Sequence, residues 1–440
     1  MAAKAEASGI KRGRNVARLR AAARWALAVA VWLMWARVIA LGVATPQPSS
    51  ATPAENARPA GHPSDHCRVE RGPGVMKLYL EGTPEQMGRC HGALVRDELV
   101  NNEGVMWELF ERYVPTFPLR LFITDLTRLR YAGLEQGYGW ARRVEIGAMA
   151  RAFQPDPYDV YMPTYSRMLM LNALYDVALS FEHSPLVGCS SVYVARSALL
   201  GRNFDFEIHD IFDTGKAVIV FAEQGKIPVL SVAWPGLVGA VTAMNQRGVG
   251  AVVHGARAAK PVEQGEPLLI TVREALANGS TAQQVVDWLV ARQPMVSHMV
   301  LVADAKPQSF VVERVPGRPA HVRTGAATLA LTNHLEGPSA EDPANLRVRQ
   351  HTSTLARRQR LDELLGELPE EPVASDIMRI LRDNRAAGGR ELAPGDRRAI
   401  DADIATHGVV MDLRRGQIWV SRGPHLRGGF EVVRFPPSKR

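Results

Sequence analysis

The residue best equipped for chemistry in this 440-residue chain is Cys189, within Leu186-Val-Gly-Cys-Ser-Ser-Val-Tyr-Val194 and shortly before Gly201-Arg-Asn-Phe-Asp-Phe206. A cysteine on an interior strand ordinarily serves as a small buried hydrophobe. Here it follows Gly188, which leaves the preceding carbonyl sterically open to the thiol. Attack there is an N-to-S acyl shift, which cuts the chain before Cys189 and frees its amine. An α-amino group titrates near ~7.7–8.0, so it can act as base for its own thiol without a separate histidine. One residue then supplies both nucleophile and proton acceptor. The strand carrying Arg202 and Asp205 lies a hairpin away and is expected to pair with the cysteine strand, pointing one of them back at it. The plainer reading makes Arg202 and Asp205 an ordinary cross-strand pair, worth ~0.2–1 kcal/mol. His209 and His254 are the candidates for a conventional Cys-His pair, but neither sits in a recognisable protease context. No metal and no cofactor are inferred.

The elements that must position these residues are legible as pattern. Val75 to Leu80 alternates as a strand, and Thr83-Pro-Glu-Gln86 carries an N-cap, a first-turn proline and a glutamine three residues on. Helical spacing then runs to about His183, interrupted at Pro155-Asp-Pro157. Within it Gly88 and Gly92 stand four apart, which on a helix permits a tight crossing with a neighbour. After Pro185 the texture changes to short strands: Ser191–Ala195, Leu199–Phe206, Ala217–Ala222, Pro228–Trp234, Gly239–Met244 and Val249–His254. Turn signals separate them, which predicts an antiparallel meander. Two helices follow, Leu268–Ala277 and, after a Ser280 cap, Thr281–Arg292. Strands return at His298–Ala303, Ser309–Val315 and Thr328–Leu331, then helices at Thr352–Leu365 and Ser375–Asp383, then a hairpin of Val409–Leu413 with Gln417–Ser421. Strand blocks separated by helix pairs predict an α+β domain of two packed sheets with helices outside. No internal repeat and no second linker are evident, so residues 68–440 read as one domain.

Four motifs, Gly188-Cys189-Ser-Ser, Gly201-Arg-Asn-Phe-Asp205, Met244-Asn245-Gln-Arg-Gly248 and Leu331-Thr-Asn-His334, stand in an order that resembles the cysteine-type N-terminal nucleophile hydrolases. The likeness is to their isopenicillin-N acyltransferase-like branch, with bile salt hydrolase and acid ceramidase more distant. It covers roughly Leu78 to Phe430, including Leu80-Glu-Gly-Thr-Pro-Glu-Gln-Met-Gly-Arg-Cys-His-Gly92 and Thr406-His-Gly-Val-Val-Met-Asp412. The resemblance implies a four-layer αββα sandwich of two antiparallel sheets, self-cleavage at Gly188-Cys189 and attack on a linear amide. It also implies that Cys189 is the nucleophile, with Arg202 and Asp205 holding its amine and thiol. The amide of Asn245 and the side chain of Asn333 would form the oxyanion hole, where one donor is typically worth ~10²–10³ in rate. The family's later arginine is matched to Arg357, with Arg347 and Arg349 as rivals. Each residue also has a bland reading: Asn245 as a turn residue, Asn333 as the end of a strand, Arg357 as a solvated charge.

The formal net charge of +8 is misleading until it is located. Seven basic residues and one acidic residue fall in the first 24 positions, and Arg37 follows, so residues 45–440 carry only one net positive charge. A phosphate-tracking surface, and with it a nucleic-acid partner, is not indicated. The basic stretch runs into an apolar one, Trp25 to Ala36, continued from Val38 to Ala44. Residues 1–44 therefore read as a signal peptide, or as a signal anchor whose Arg37 costs roughly 2.5–3.5 kcal/mol inside a bilayer. Either sends the body out of the cytoplasm, to a periplasmic or extracellular location, with residues 25–43 as a possible membrane tether. Residues 45–67 read as a Pro/Ala/Ser-rich linker. In an oxidising compartment Cys67 and Cys90 could pair, leaving Cys189 as a lone thiol; two unpaired buried cysteines are the other reading. Residues 68–188 are expected to stay associated after cleavage with the nucleophile-bearing segment, 189–440, as parts of one domain. The expected activity is an exported, self-processing amidohydrolase or acyltransferase acting on a small-molecule acyl amide through a thioester. An ester or lipid acyl hydrolase, or a non-catalytic tethered binding protein on the same scaffold, are the alternatives.

Overall fold

Thr83 and Gln86 form the reciprocal capping box that their spacing predicts, and they launch the first helix of the body. The computed structural model describes residues 67–180, 187–206 and 209–436, residues 45–46, and most positions of a helix between 20 and 42. The basic stretch before residue 20, the linker over 47–66 and positions 43–44 lie outside the described residues.

In chain order, helix α1 (Ala23–Gly42) precedes strands β1 (Arg68–Glu70) and β2 (Met76–Gly82). Six helices follow: α2 (Pro84–Leu94), α3 (Arg96–Tyr113), α4 (Phe117–Arg130), α5 (Trp140–Ala152), α6 (Thr164–Asn172) and α7 (Leu174–Leu179). The hairpin β3 (Val187–Val194) and β4 (Leu199–Phe206) leads through α8 (Ile211–Thr214) to β5 (Ala217–Glu223), β6 (Val229–Ala233), β7 (Thr242–Asn245) and β8 (Gly250–Gly255). Helices α9 (Leu268–Asn278) and α10 (Ala282–Val290) come next, then β9 (His298–Ala303), β10 (Ser309–Arg314), β11 (His321–Thr324) and β12 (Thr328–Leu331). The chain closes with α11 (Pro343–His351), α12 (Thr354–Gly366), α13 (Ala374–Leu381), β13 (Ala405–Asp412), β14 (Gln417–Ser421) and β15 (Phe430–Arg434).

These strands build two sheets, one in the order β1-β2-β5-β6-β7-β8-β9-β10-β11 and one in the order β12-β3-β4-β13-β14-β15. Three apolar layers define the sandwich. Leu80, Ile219 and Val300 on the larger sheet meet Met87, Met149, Leu276 and Val285 of the helices. Val220, Val232 and Val252 face Leu200, Val409 and Met411 between the sheets. Val192 and Val410 on the outer face of the smaller sheet pack on Leu361 and Ile377 of α12 and α13. The expected αββα arrangement is borne out.

The strand assignments need two corrections and one helix cap a third. The six strands after residue 187 are not one meander: β3 and β4 belong to the smaller sheet and β5 to β8 to the larger. Period-two alternation marks a strand but is blind to which sheet it joins. The larger sheet is not wholly antiparallel either, because β2 pairs parallel with β5. The helices between them provide the crossover such a pair needs. Helix α10 is capped by Thr281 rather than Ser280; the Thr281 hydroxyl accepts from the Gln284 amide at 3.3 Å. Helix α11 and the short strands β1, β11 and β15 carry no strong pattern in the sequence.

Gly88 and Gly92 do mark a tight crossing. A Cβ on Gly88 would stand 2.0 Å from the Glu145 carbonyl oxygen, and one on Gly92 2.6 Å from that of Met149. Helices α2 and α5 therefore meet backbone to backbone, and Cys90, midway between the two glycines in sequence, is joined to Cys67 by a disulfide.

Candidate active site

The hairpin β3–β4 sets Cys189 opposite Phe204, Ser191 opposite Arg202 and Gly188 opposite Asp205. Side chains alternate across a strand, so Cys189 and Arg202 share the face toward the larger sheet as diagonal neighbours. Gly188 and Asp205 share the other face. The guanidinium of Arg202 is fully buried and donates through Nη2 to Cys189 Sγ at 3.2 Å and to the Val253 carbonyl at 2.9 Å. Its Nη1 donates to the Val241 carbonyl at 3.0 Å and to the Thr242 hydroxyl. The Cys189 thiol in turn donates to the Val253 carbonyl at 3.6 Å. Burial pushes the thiol's pKa above its ordinary value, an effect the Arg202 charge opposes.

The backbone of Cys189 is held from the other side. Its amide donates to Asn333 Oδ1 at 2.8 Å, and its carbonyl accepts from Nη1 of Arg357. Arg357, on α12, also donates to the Ser190 hydroxyl and to Asn333 Oδ1, both at 2.9 Å. Burial lowers the Arg357 pKa, with Asp205 as the largest charge opposing the fall. Asn333 follows β12, which pairs with β3; Thr354 fixes it through a 2.8 Å bond to its amide. Gly188 leaves room for Asp205, since a Cβ there would lie 2.8 Å from Asp205 Oδ2 and displace that carboxylate.

The structure thus brings Cys189, Arg202, Asp205, Asn333 and Arg357 together around Gly188. It does not bring Asn245. Its backbone amide donates to the Val249 carbonyl at 2.9 Å, and its side chain donates to the Leu276 and Gly279 carbonyls at 2.8 and 2.7 Å and accepts from the amides of Arg247 and Val249, so the residue closes a turn and the end of α9. The thiol lies beside the far end of β8, next to Val241 and Val253, whereas Asn245 ends β7 in the opposite direction. Asn333 also departs from its expected part as a free donor: Nδ2 is committed to the Gly255 carbonyl at 3.1 Å, and it is the oxygen that faces Cys189. Arg347 is exposed, and Arg349 reaches Glu341 at 3.6 Å. His254 binds Ser191 and the Thr332 carbonyl, at 2.7 and 3.0 Å, and His209 caps the Ile211 amide on an exposed turn; neither hydrogen-bonds the thiol. Ser190, Thr354 and the end of β8 complete the cluster, and of these only Ser190, adjacent to the cysteine, carries a signal in the sequence.

Beside the thiol lies a cleft of about 810 Å³, its open mouth included, lined by residues such as Met106, Met168, Tyr175, Phe206 and Trp234. It reaches Phe204 and Val241, which frame Cys189 and Arg202. Among the described residues no group of three His, Cys, Asp or Glu side chains is placed to hold a metal ion.

A family model described as acyl-coenzyme A:6-aminopenicillanic acid acyl-transferase matches residues 194–388. The resemblance read from the motifs is borne out over that stretch. A protein of Archaeoglobus fulgidus is 24% identical over 264 residues, which is 54% of this chain and 42% of that protein. The chain thus spans less than half the length of that relative. Among solved structures, an N-acylethanolamine-hydrolyzing acid amidase ortholog from Caenorhabditis elegans is 14% identical with a TM-score of 0.40, covering 56% of this chain and 99% of its own. Penicillin V acylase from Agrobacterium tumefaciens is 15% identical with a TM-score of 0.40, covering 56% and 86%. A conjugated bile acid hydrolase from Clostridium perfringens is 13% identical with a TM-score of 0.38, covering 57% and 97%.

Proposed function

We propose that this chain, which carries an acyltransferase-family segment, is an exported, self-processing cysteine amidohydrolase or acyltransferase. In processing, Cys189 Sγ bonds to the Gly188 carbonyl carbon, the Gly188–Cys189 C–N bond breaks, and the thiol proton passes to the departing nitrogen. Water then cleaves the resulting thioester, leaving a Gly188 carboxylate and a free Cys189 amine and thiol. In turnover the amine takes the thiol proton as Sγ attacks a linear acyl amide, and delivers it to the leaving nitrogen. Water or a second amine releases the acyl group from sulfur.

The observation that carries this reading is the convergence of three hydrogen bonds on Cys189: Arg202 on the sulfur, Asn333 Oδ1 on the nitrogen and Arg357 on the carbonyl. The Asn333 oxygen already holds the atom that must become the proton acceptor. Asn333 Nδ2, bound to the Gly255 carbonyl at 3.1 Å, would serve an oxyanion only after releasing that bond. The cleft beside Phe204 is lined mainly by apolar side chains, which fits an apolar acyl group.

Intact-mass analysis tests the proposal. Purified wild type should appear as two polypeptides divided at Gly188-Cys189, whereas Cys189→Ala should remain whole and inert toward an acyl-amide panel. An unbroken wild-type chain with an unaffected Cys189→Ala variant would sink it. Faster turnover of esters than of matched amides would move the assignment to an ester hydrolase.

A further inference from the structure

Helix α4 is built inside out. Its buried residues are Arg120, Thr124 and Asp125, while Leu119, Phe122, Leu126 and Leu129 are 43–57% exposed. Those four recur at spacings of three, four and three and so form one stripe. A helix bounded by water places its residues the other way round.

Helix α1 shows what the stripe adjoins. Arg37 of α1 pairs with Asp125, Arg128 donates to the Thr45 hydroxyl at 2.7 Å, and Leu41 is buried. The last turns of α1 are therefore fastened to α4. Over its whole length, Ala23–Gly42, α1 is long and apolar enough to cross a membrane, and Trp25, Trp32, Trp35 and Ile39 are more than 60% exposed. Arg37 lies five residues from the end of α1, about 7.5 Å along its axis at 1.5 Å per residue. If α1 spans a bilayer from end to end, the Arg37–Asp125 pair lies about 7.5 Å inside its outer boundary, and α4 lies at that interfacial depth.

We propose that the exposed stripe of α4 is a membrane-contact surface continuous with α1. Leu119, Phe122, Leu126 and Leu129 lie about 5–10 Å into the headgroup–acyl boundary, the depth of interfacial helices, while Arg120, Thr124 and Asp125 face the protein. This rests on the anchor form of the export reading, in which α1 is retained.

The test uses the full chain with Cys189→Ser and Phe122→Cys. Cys67 and Cys90 are joined in the disulfide, so an environment-sensitive fluorophore goes to residue 122 alone. A second protein carries the label at Glu370→Cys, an exposed site between α12 and α13 on the opposite helical layer. Both are reconstituted into phosphatidylcholine–phosphatidylglycerol vesicles and washed with carbonate. The expected result is retention in the vesicles, blue-shifted emission at 122, loss of that emission with lipids carrying a shallow doxyl quencher, and no loss at 370. Retention with a water-like, unquenched signal at 122 overturns the α4 surface and leaves the anchor standing. A shielded but unquenched label in a chain that sediments as a dimer assigns the stripe to a second copy and overturns it as well. Loss of the chain in the carbonate wash removes the anchor, and the surface with it.

Discussion

At the scale of residues, the proposed chemistry turns on a thiol that is buried yet hydrogen-bonded to a cation. Burial raises the Cys189 pKa and Arg202 opposes the rise. In the uncut chain the thiol is therefore mostly protonated at neutral pH, and its reactivity should climb as pH rises toward that elevated value. Arg202→Gln removes the opposing charge, raises the pKa further and should slow alkylation at every pH below it. Iodoacetamide rates measured against pH, in chains isolated before processing, check both the slope and the direction of the shift. Cys189 could be picked out because Gly188 precedes it, and Arg202 and Arg357 through the resemblance that the motif order carries. Asn245 could not be judged that way. A polar residue at a strand end looks the same in sequence whether it faces a catalytic centre or, as here, satisfies the carbonyls of Leu276 and Gly279.

Elements decide how firmly that cluster is held. The α2–α5 crossing depends on two missing side chains, and a Cβ on Gly88 would collide with backbone rather than with a yielding side-chain tip. Gly88→Ala should therefore destabilise the fold by about 1–3 kcal/mol, the usual cost of overpacking, read as a lower urea midpoint with an unchanged slope. The glycine spacing revealed that crossing in advance. The sheet to which each strand belongs was not visible, because β4 and β5 are both buried almost throughout and differ in neighbours rather than in pattern. Nor did the sequence reading anticipate that α4 turns its polar residues inward, since periodicity marks two faces without naming the one that meets the protein.

Across the whole molecule, the segment before Cys189 is stitched to the segment after it. Strand β2 pairs with β5 inside the larger sheet. Nearby, Arg273 of α9 donates to Glu145 of α5 at 2.9 Å, and Arg142 of α5 pairs with Glu223 and Glu274, with Glu145, Arg142 and Arg273 all but fully buried. If the chain is cut at Gly188–Cys189 as proposed, the two pieces should therefore remain a one-to-one complex in native mass spectrometry, separating only in denaturant. Arg273→Ala leaves Glu145 and Glu223 short of a buried partner and should cost about 3–5 kcal/mol, measured by urea unfolding of the two-piece complex.

The sequence alone determined that a cysteine behind a glycine begins a strand, that helices precede it and two sheets follow, and that the charge of the body is nearly balanced. Those properties are local: they follow from residue type and from periods of two and 3.6, which any short window contains. Only the tertiary structure decided which polar groups converge on Cys189, because Asn333 and Arg357 lie 144 and 168 residues away along the chain. It also decided that Asn245 stays apart, that β2 enters the sheet in parallel and that α4 shows its leucines outward. Such facts are set by which surfaces pack together, and no spacing along a single strand or helix encodes the partner it will meet.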